Sequence, residues 1–581
     1  MQRHLIVTAA VVLILGASVT TALALPGDDA DRLITGPASD PAAEKVARDA
    51  LADLPSDVVV RIGTRHTDAK LAAEGFEIRV ESGEILLDGA DAAGVFYGAQ
   101  ELRERARSGR LDDGVIRQEP SMRYRGLIEG FYGTPWTHAE RLDLMDYLGS
   151  HRMNTYAYAP KDDPYHREKW REPYPADKLA ELGELVERAQ ANHVDFAFAL
   201  SPGLSICYTS QDDYDALIAK FDSLYDLGVR QFNIPLDDID YDTWHCDGDA
   251  EEYGSGPAAA GRAQAELLTR VQTEWAANKD GVAPMQMVPT EYFDNEDSPY
   301  KEALRDMHSD VVVMWTGVGV IPTTITREQA ARAREVFGHE ILIWDNYPVN
   351  DYIAGRLPLG AYTGRENGLS AEVSGVISNP MNQPEVSKVA LYSFGEYGWD
   401  DESYQAEESW ERALSEAAGG SEEVVDALRR FADLNQYDET LHQEPAPELA
   451  AALDAFWEAW DAGDHDAAAE RFDAVLADLA AAPDVIREGA ADPAFAEQAR
   501  AWLDAAELWV SAMRHSLTGM VREVNGDPEG ACEAIAEATS DVEAAKEIRD
   551  DREPHSTTHP RIADGVADAY IDAAAGHAGC G

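Results

Sequence analysis

The sequence predicts an α/β protein: a (β/α)8 TIM barrel, preceded by a small α+β domain and followed by a helical bundle. Two observations carry this. Between Tyr124 and about Leu391, eight short apolar runs alternate with amphipathic helical stretches, as in a parallel barrel whose strands are each followed by a helix. A doubly wound open sheet would instead place a Gly-rich phosphate loop after its first strand, and none is present. The expected boundaries are 1–24 for an export signal, 25–118 for the N-terminal domain, 119–402 for the barrel and 403–581 for the helical domain.

At the N-terminus, Arg3 and His4 precede an apolar stretch from Leu5 to Leu15, and Ala22-Leu23-Ala24 forms a small-residue cleavage pattern. The apolar core is short for a spanning helix, so cleavage is expected rather than retention as an anchor. No later segment is long and apolar enough to cross a bilayer. The expected destination is extracellular, with no membrane attachment once the signal is gone.

In the N-terminal domain, Val58 to Ile62, Phe76 to Val80 and Glu84 to Leu87 read as strands. Ala90 to Arg107 has helical spacing through Val95, Phe96, Ala99 and Leu102. The barrel runs are 125–131, 155–159, 195–200, 231–236, 284–289, 311–315, 341–344 and 375–377. After Ser403 the chain turns Ala- and Glu-rich with helical periodicity, and helices are expected over 424–434, 449–460, 467–479 and 495–521. Trp457, Trp460, Trp502 and Trp509 lie in these stripes and are expected to pack the core rather than form a ligand platform.

Asp and Glu number 108 against 48 Lys and Arg, a net charge of −60 in 581 residues. Such a polyanion excludes nucleic acid and anionic membrane surfaces as partners. Only ten of the basic residues are Lys, a bias that suits high ionic strength. Four cysteines in an exported chain permit two disulfides. Cys207 and Cys246 lie just beyond the third and fourth runs, and Cys532 and Cys580 both fall in the helical region. The predicted pairs are therefore Cys207–Cys246 and Cys532–Cys580. No Cys spacing matches a zinc motif, and the Asp-rich loop after the fourth run lacks the calcium-loop pattern, so no metal or cofactor is expected.

The chemistry gathers where the runs end. Asp237 and Asp238 follow the fourth run, where the chain can turn and aim both carboxylates into one cavity at the barrel mouth. Two carboxylates in one pocket do not ionise equally easily, which pushes one toward proton donation. Other runs end in Glu129 to Trp136, in Pro160 to Tyr165, in Thr290-Glu291-Tyr292, in Trp344-Asp345-Asn346 with Asp351-Tyr352 behind, and in Ser378-Asn379-Pro380. A ring of carboxylates, amides, one ammonium and aromatics suits a polyhydroxylated sugar ring.

Glu129-Gly-Phe-Tyr-Gly-Thr-Pro-Trp136, Met153-Asn-Thr-Tyr156, Pro160-Lys-Asp-Asp-Pro-Tyr165 and the Asp237–Asp238 pair resemble glycoside hydrolase family 84, the β-N-acetylglucosaminidases and O-GlcNAcases. Pro289-Thr-Glu-Tyr292, Trp344-Asp-Asn346 with Asp351, and Asn379-Pro380 extend the likeness over the barrel. The flanking regions resemble the family's N-terminal α/β domain and, more loosely, its helical domain. The resemblance implies a substrate-assisted, retaining mechanism in which the sugar's own acetamido oxygen attacks the anomeric carbon. It implies that Asp237 orients the acetamido group and stabilises the oxazoline, and that Asp238 is the acid and then the base. It implies further that Tyr292 bonds near the acetamido oxygen and that Tyr132 and Trp344 wall the acetyl pocket. The Gly130 carbonyl, Lys161, Asn346, Asp351 and Asn379 would hold the sugar hydroxyls, with Asp351 on the 4- and 6-positions. One departure is a long acidic loop, 240–256, carrying Cys246 beside the site.

The expected function is thus an exported exo-β-N-acetylglucosaminidase acting on terminal N-acetylglucosamine of glycans or glycoproteins. Two rivals are a catalytically silent glycan-binding protein and a related hexosaminidase with a different sugar or linkage preference.

Overall fold

The computed structural model describes residues 32–64, 70–81, 83–241, 243–437 and 444–580. The expected signal, 1–24, lies outside them. The chain divides into two compact units, Met1–Gln118 and Glu119–Gly581.

The first unit is a five-stranded mixed sheet of β1 (Leu33–Thr35), β2 (Val59–Ile62), β3 (Phe76–Glu81), β4 (Glu84–Gly89) and β5 (Gly114–Gln118), in the order β1-β2-β4-β3-β5. Two helices, α1 (Pro41–Ala50) and α2 (Ala92–Ser108), belong to it. Asp40 and Asp91 cap them by accepting from Ala43 N and Gly94 N. β2, β3, β4 and α2 fall on the segments predicted from the sequence; β1, α1 and β5 do not. β1 has three residues, and β5 is mostly exposed and lacks a clear apolar face.

The second unit is built on a closed, all-parallel barrel. Its strands are β6 (Tyr124–Ile128), β7 (Thr155–Tyr158), β8 (Asp195–Ala199), β9 (Gln231–Pro235), β10 (Gln286–Val288), β11 (Val312–Trp315), β12 (Ile341–Pro348) and β13 (Gly375–Asn379), with β13 pairing back to β6. Around it run α3 (His138–Ser150), α4 (Ala176–Gln190), α5 (Gln211–Asp226), α6 (Asp247–Tyr253), α7 (Pro257–Arg270), α8 (Pro299–Leu304), α9 (Arg327–Phe337) and α10 (Pro384–Trp399). Each strand is buried on both faces, hence the continuous apolar runs. The barrel interior alternates small and large residues: Ala157, Ala159, Ala197 and Ala199 make room for Tyr124, Met314 and Trp344. The opposite strand faces pack against the helices in a separate cluster that includes Tyr156, Phe196, Phe232, Trp315 and Ile343.

In the same unit follow α11 (Ala406–Ala417), α12 (Glu422–Leu434), α13 (Pro447–Asp461), α14 (His465–Gly489), α15 (Pro493–Gln498), α16 (Arg500–Val524), α17 (Pro528–Glu547) and α18 (Ala567–His577). Trp460, Trp502 and Trp509 are buried in one apolar core, with Trp457 packed against it, so these tryptophans are packing residues. The single helix expected over 495–521 is two, α15 and α16, with Ala499 between them. No helix among the described residues is long and apolar enough to cross a membrane. The two disulfides are the predicted ones, Cys207–Cys246 and Cys532–Cys580.

Candidate active site

One cavity of about 210 Å³ opens at the C-terminal mouth of the barrel. Gly130, Tyr132, Lys161, Asp237, Asp238, Tyr292, Trp344, Asn346, Asp351 and Asn379 all line it, so every expected catalytic or sugar-binding residue is brought together there. They come from the ends of six strands, β6, β7, β9, β10, β12 and β13.

The Asp pair is placed by a turn. β9 ends at Pro235, and Asp238 has φ +53, a left-handed conformation that Asp tolerates better than most residues. Asp237 is buried at 7% exposure, and its Oδ2 accepts from Lys161 Nζ at 3.3 Å. Its other oxygen, Oδ1, is buried with no hydrogen-bond partner. Asp238 is exposed and accepts from two tyrosines: Tyr292 OH on Oδ1 at 3.1 Å and Tyr132 OH on Oδ2 at 2.9 Å. Both tyrosines line the cavity, and their hydroxyls meet on the second carboxylate. Burial, then the Asp238 carboxylate, pushes the Tyr292 hydroxyl well above the ordinary tyrosine value, so it stays protonated and donates. Burial likewise raises Tyr132, against the pull of Lys161.

Across the cavity, Asp351 Oδ2 accepts from the Tyr132 backbone N–H at 2.7 Å, and burial raises its pKa. Trp344 is held by a bond from its Nε1 to Asn346 Oδ1 at 2.9 Å, and Asn379 Nδ2 donates to the same oxygen at 2.9 Å. Asn379 Oδ1 is buried without a partner. Gly130 leaves no room for a side chain: a Cβ there would lie 2.5 Å from Trp344 Cζ2. Lys161 lies 5.2 Å from the Tyr132 ring centre and 5.8 Å from that of Trp344, so one ammonium faces two rings.

Buried polar atoms nearly always find partners, because leaving one unmade costs about 1–3 kcal/mol. Two orphan acceptors in one pocket, Asp237 Oδ1 and Asn379 Oδ1, therefore call for a ligand that brings its own N–H and O–H donors.

Other motif carboxylates do not reach the cavity. Glu129 is fully buried, in a bidentate pair with Arg141 and a bond from Tyr156 OH. Asp345 pairs with Arg365 and Tyr362. Asp163 accepts from Tyr158 and Tyr174, and Glu291 from Ser298. These hold loops in place. The reading in turn missed Arg167, whose positive charge acts on the Tyr132 hydroxyl against the effect of burial, although it lies two residues past the Pro160–Tyr165 motif. It also missed Val320 and Ile321, which line the cavity from a loop with no polar signature.

Cys207, Cys246 and Asp249 form the one His/Cys/carboxylate cluster of metal-binding spacing among the described residues. Both sulfurs are in the disulfide, and Asp249 accepts from Tyr208 N and Thr209 N. The cluster is a brace for the acidic loop.

The profile of the β-N-acetylglucosaminidase family matches residues 125–433, more than half of the chain. The chain belongs to glycoside hydrolase family 84. A family-20 glycosyl hydrolase domain 2 profile matches residues 28–117. Among family 84 structures, that of CpGH84B shares 32% identity over 94% of this chain and 96% of its own, with a TM-score of 0.81. A mutant O-GlcNAc hydrolase of Thermobaculum terrenum shares 28% over 78% of this chain and 94% of its own, with a TM-score of 0.71. The rat Protein O-GlcNAcase is 32% identical over 275 residues, 46% of this chain. That match spans 29% of the rat protein, so this chain covers under a third of its length.

Proposed function

We propose that the chain is a secreted, retaining exo-β-N-acetylglucosaminidase that removes terminal β-linked N-acetylglucosamine by substrate-assisted catalysis. The observation that carries this reading is the Asp237 carboxylate, buried, paired with Lys161 through one oxygen and orphaned at the other. An acetamido N–H donated to Oδ1 would complete it. Holding that N–H strengthens the acetamido oxygen as a nucleophile.

In the first step that oxygen bonds to the anomeric carbon as the glycosidic C–O bond breaks, and Asp238 gives its proton to the departing oxygen. Asp237 stabilises the positive charge on the acetamido nitrogen as the oxazoline forms. In the second step Asp238 takes a proton from water, whose oxygen attacks the same carbon from the face the leaving group left as the oxazoline's bond from that carbon to the acetamido oxygen breaks and the acetamido group is restored, so configuration is retained. Asp351 and Asn379, which both line the cavity, would accept from ring hydroxyls. The cavity volume falls below the about 300–1,000 Å³ of clefts for drug-sized ligands, which favours one terminal ring over an internal stretch of polymer. The two disulfides support an oxidising, extracellular destination.

The test is turnover of a chromogenic aryl N-acetyl-β-glucosaminide, with the first-formed anomer read by proton NMR and the galacto epimer run alongside. The expected result is hydrolysis with the β-anomer formed first and the gluco substrate preferred. Sugar binding without turnover would point to the silent binding protein, and a galacto preference to a different hexosaminidase.

A further inference from the structure

Tyr132 and Asp351 stand on two separate loops, after β6 and β12, and meet in the pocket through the 2.7 Å bond from Tyr132 N to Asp351 Oδ2. Behind the pocket, one stretch between α17 and α18, residues 550–561, grips both loops. It lies outside the 125–433 span that matches the family profile.

The β12 loop is held at Gly355. Its N–H donates to His555 Nδ1 at 2.9 Å, and its carbonyl accepts from Trp502 Nε1 at 2.8 Å and from Arg561 N at 2.9 Å. Only glycine suits this position: φ is +85, and a Cβ would lie 2.4 Å from the His559 carbonyl oxygen. The β6 loop is held at Thr134, whose N–H donates to Glu553 O at 3.1 Å while Glu553 N donates to Thr134 Oγ1 at 2.8 Å. Arg552 donates to the Asn382 carbonyl and, at 2.6 Å, to Glu140. The Asn382 amide in turn donates to Tyr132 O at 3.2 Å and Thr134 O at 3.0 Å. Asp550 accepts from Gln383, whose Oε1 accepts from Asn350, the neighbour of Asp351.

We infer that His555 and Arg552 are positioning residues for the sugar site: His555 acts through Gly355 on Asp351, and Arg552 through Asn382 on Tyr132. His555 is 1% exposed, with the Trp502 ring edge-on at 5.3 Å. Burial lowers its pKa to about 4, so the ring is neutral at ordinary pH and Nδ1 can accept the Gly355 N–H. Misplacing a binding group by about 1 Å is enough to cost roughly 100-fold in rate. The segment is thereby a working part of the pocket, although none of its residues lines it.

The inference rests on the glycosidase reading, and the test separates the two. In the full chain, His555→Ala, His555→Asn and Arg552→Met are compared with wild type for kcat and KM on aryl N-acetyl-gluco- and galactosaminide. Wild-type turnover tests the reading itself; the variants test the inference. His555→Ala is expected to raise KM for the gluco substrate about tenfold and to reduce the gluco-over-galacto preference at least fivefold, since Asp351 reads the 4-hydroxyl. His555→Asn, with Oδ1 in place of Nδ1, is expected to recover to within threefold. Arg552→Met, on the other loop, is expected to raise KM as well and keeps the test open if His555→Ala does not fold. Calorimetric titration with N-acetylglucosamine reads the same loss as weakened affinity, with or without turnover. A fall in kcat alone, equal for both epimers, with KM and sugar affinity unchanged, would mean a smaller folded fraction and would overturn the inference.

Discussion

At the scale of single residues, the site turns on atoms whose partners come from elsewhere in the fold. Gly130 is the clearest case. Adding one methyl puts a carbon 2.5 Å from Trp344 Cζ2, and Trp344 cannot retreat freely because its indole N–H is bonded to Asn346. Overpacking of this kind costs about 1–3 kcal/mol. Gly130→Ala is therefore expected to raise KM for an aryl N-acetylglucosaminide and to lower Tm by a few degrees, measured by steady-state kinetics and thermal melting. Its sequence context showed that Gly130 belongs to the site, but not why it is glycine, because the colliding ring is more than two hundred positions away. Arg167 was missed for a related reason: the Tyr132 hydroxyl on which its charge acts belongs to a different strand end.

At the scale of elements, the barrel strands were legible because burial on both faces makes each a continuous apolar run. Their ends were less so. β12 runs on to Pro348, four residues beyond the expected end, because Trp344, Asp345 and Asn346 are all buried within it and polar residues there are not a loop signal. The break between α15 and α16 was hidden because helical periodicity is the same on both sides of Ala499. The acidic loop beside the site was legible as an oddity, and the structure explains how it is held. Cys207–Cys246 joins the loops after β8 and β9 across 39 positions, and closing a loop of that size stabilises by about 2–4 kcal/mol. The double variant Cys207→Ser, Cys246→Ser is expected to lose that much in chemical denaturation, with Asp249 still bonding Tyr208 and Thr209 in the folded state.

At the scale of the whole molecule, charge and long-range order dominate. A net charge of −60 over 581 residues, about −0.1 per residue, makes self-repulsion appreciable in dilute buffer. Salt shortens the reach of that repulsion, from a Debye length of about 30 Å at 0.01 M to about 3 Å at 1 M. Tm measured by calorimetry is expected to rise from low to molar salt; a flat or falling trend would remove salt adaptation from the account. The helical region was legible as helices, but not its grip on the barrel mouth. That grip runs through bonds from His555, Trp502 and Glu553 to Gly355 and Thr134, and partners so far apart in the chain leave no mark on composition or periodicity.

The proposed mechanism gives Asp237 and Asp238 different work, and leaving-group dependence separates the two. Rates for Asp238→Asn and Asp237→Asn would be measured on aryl N-acetyl-β-glucosaminides spanning leaving groups of low to high pKa. Loss of a general acid costs about 10²–10⁴-fold when the leaving group needs its proton and little when it does not. Asp238→Asn is therefore expected to fail on high-pKa leaving groups and to retain much of its first-step rate on low-pKa ones. Asp237→Asn, which weakens the acetamido nucleophile, is expected to be slow on all of them. Equal leaving-group dependence in the two variants, or rescue by azide of a covalent nucleophile's role at either position, would contradict the assignment.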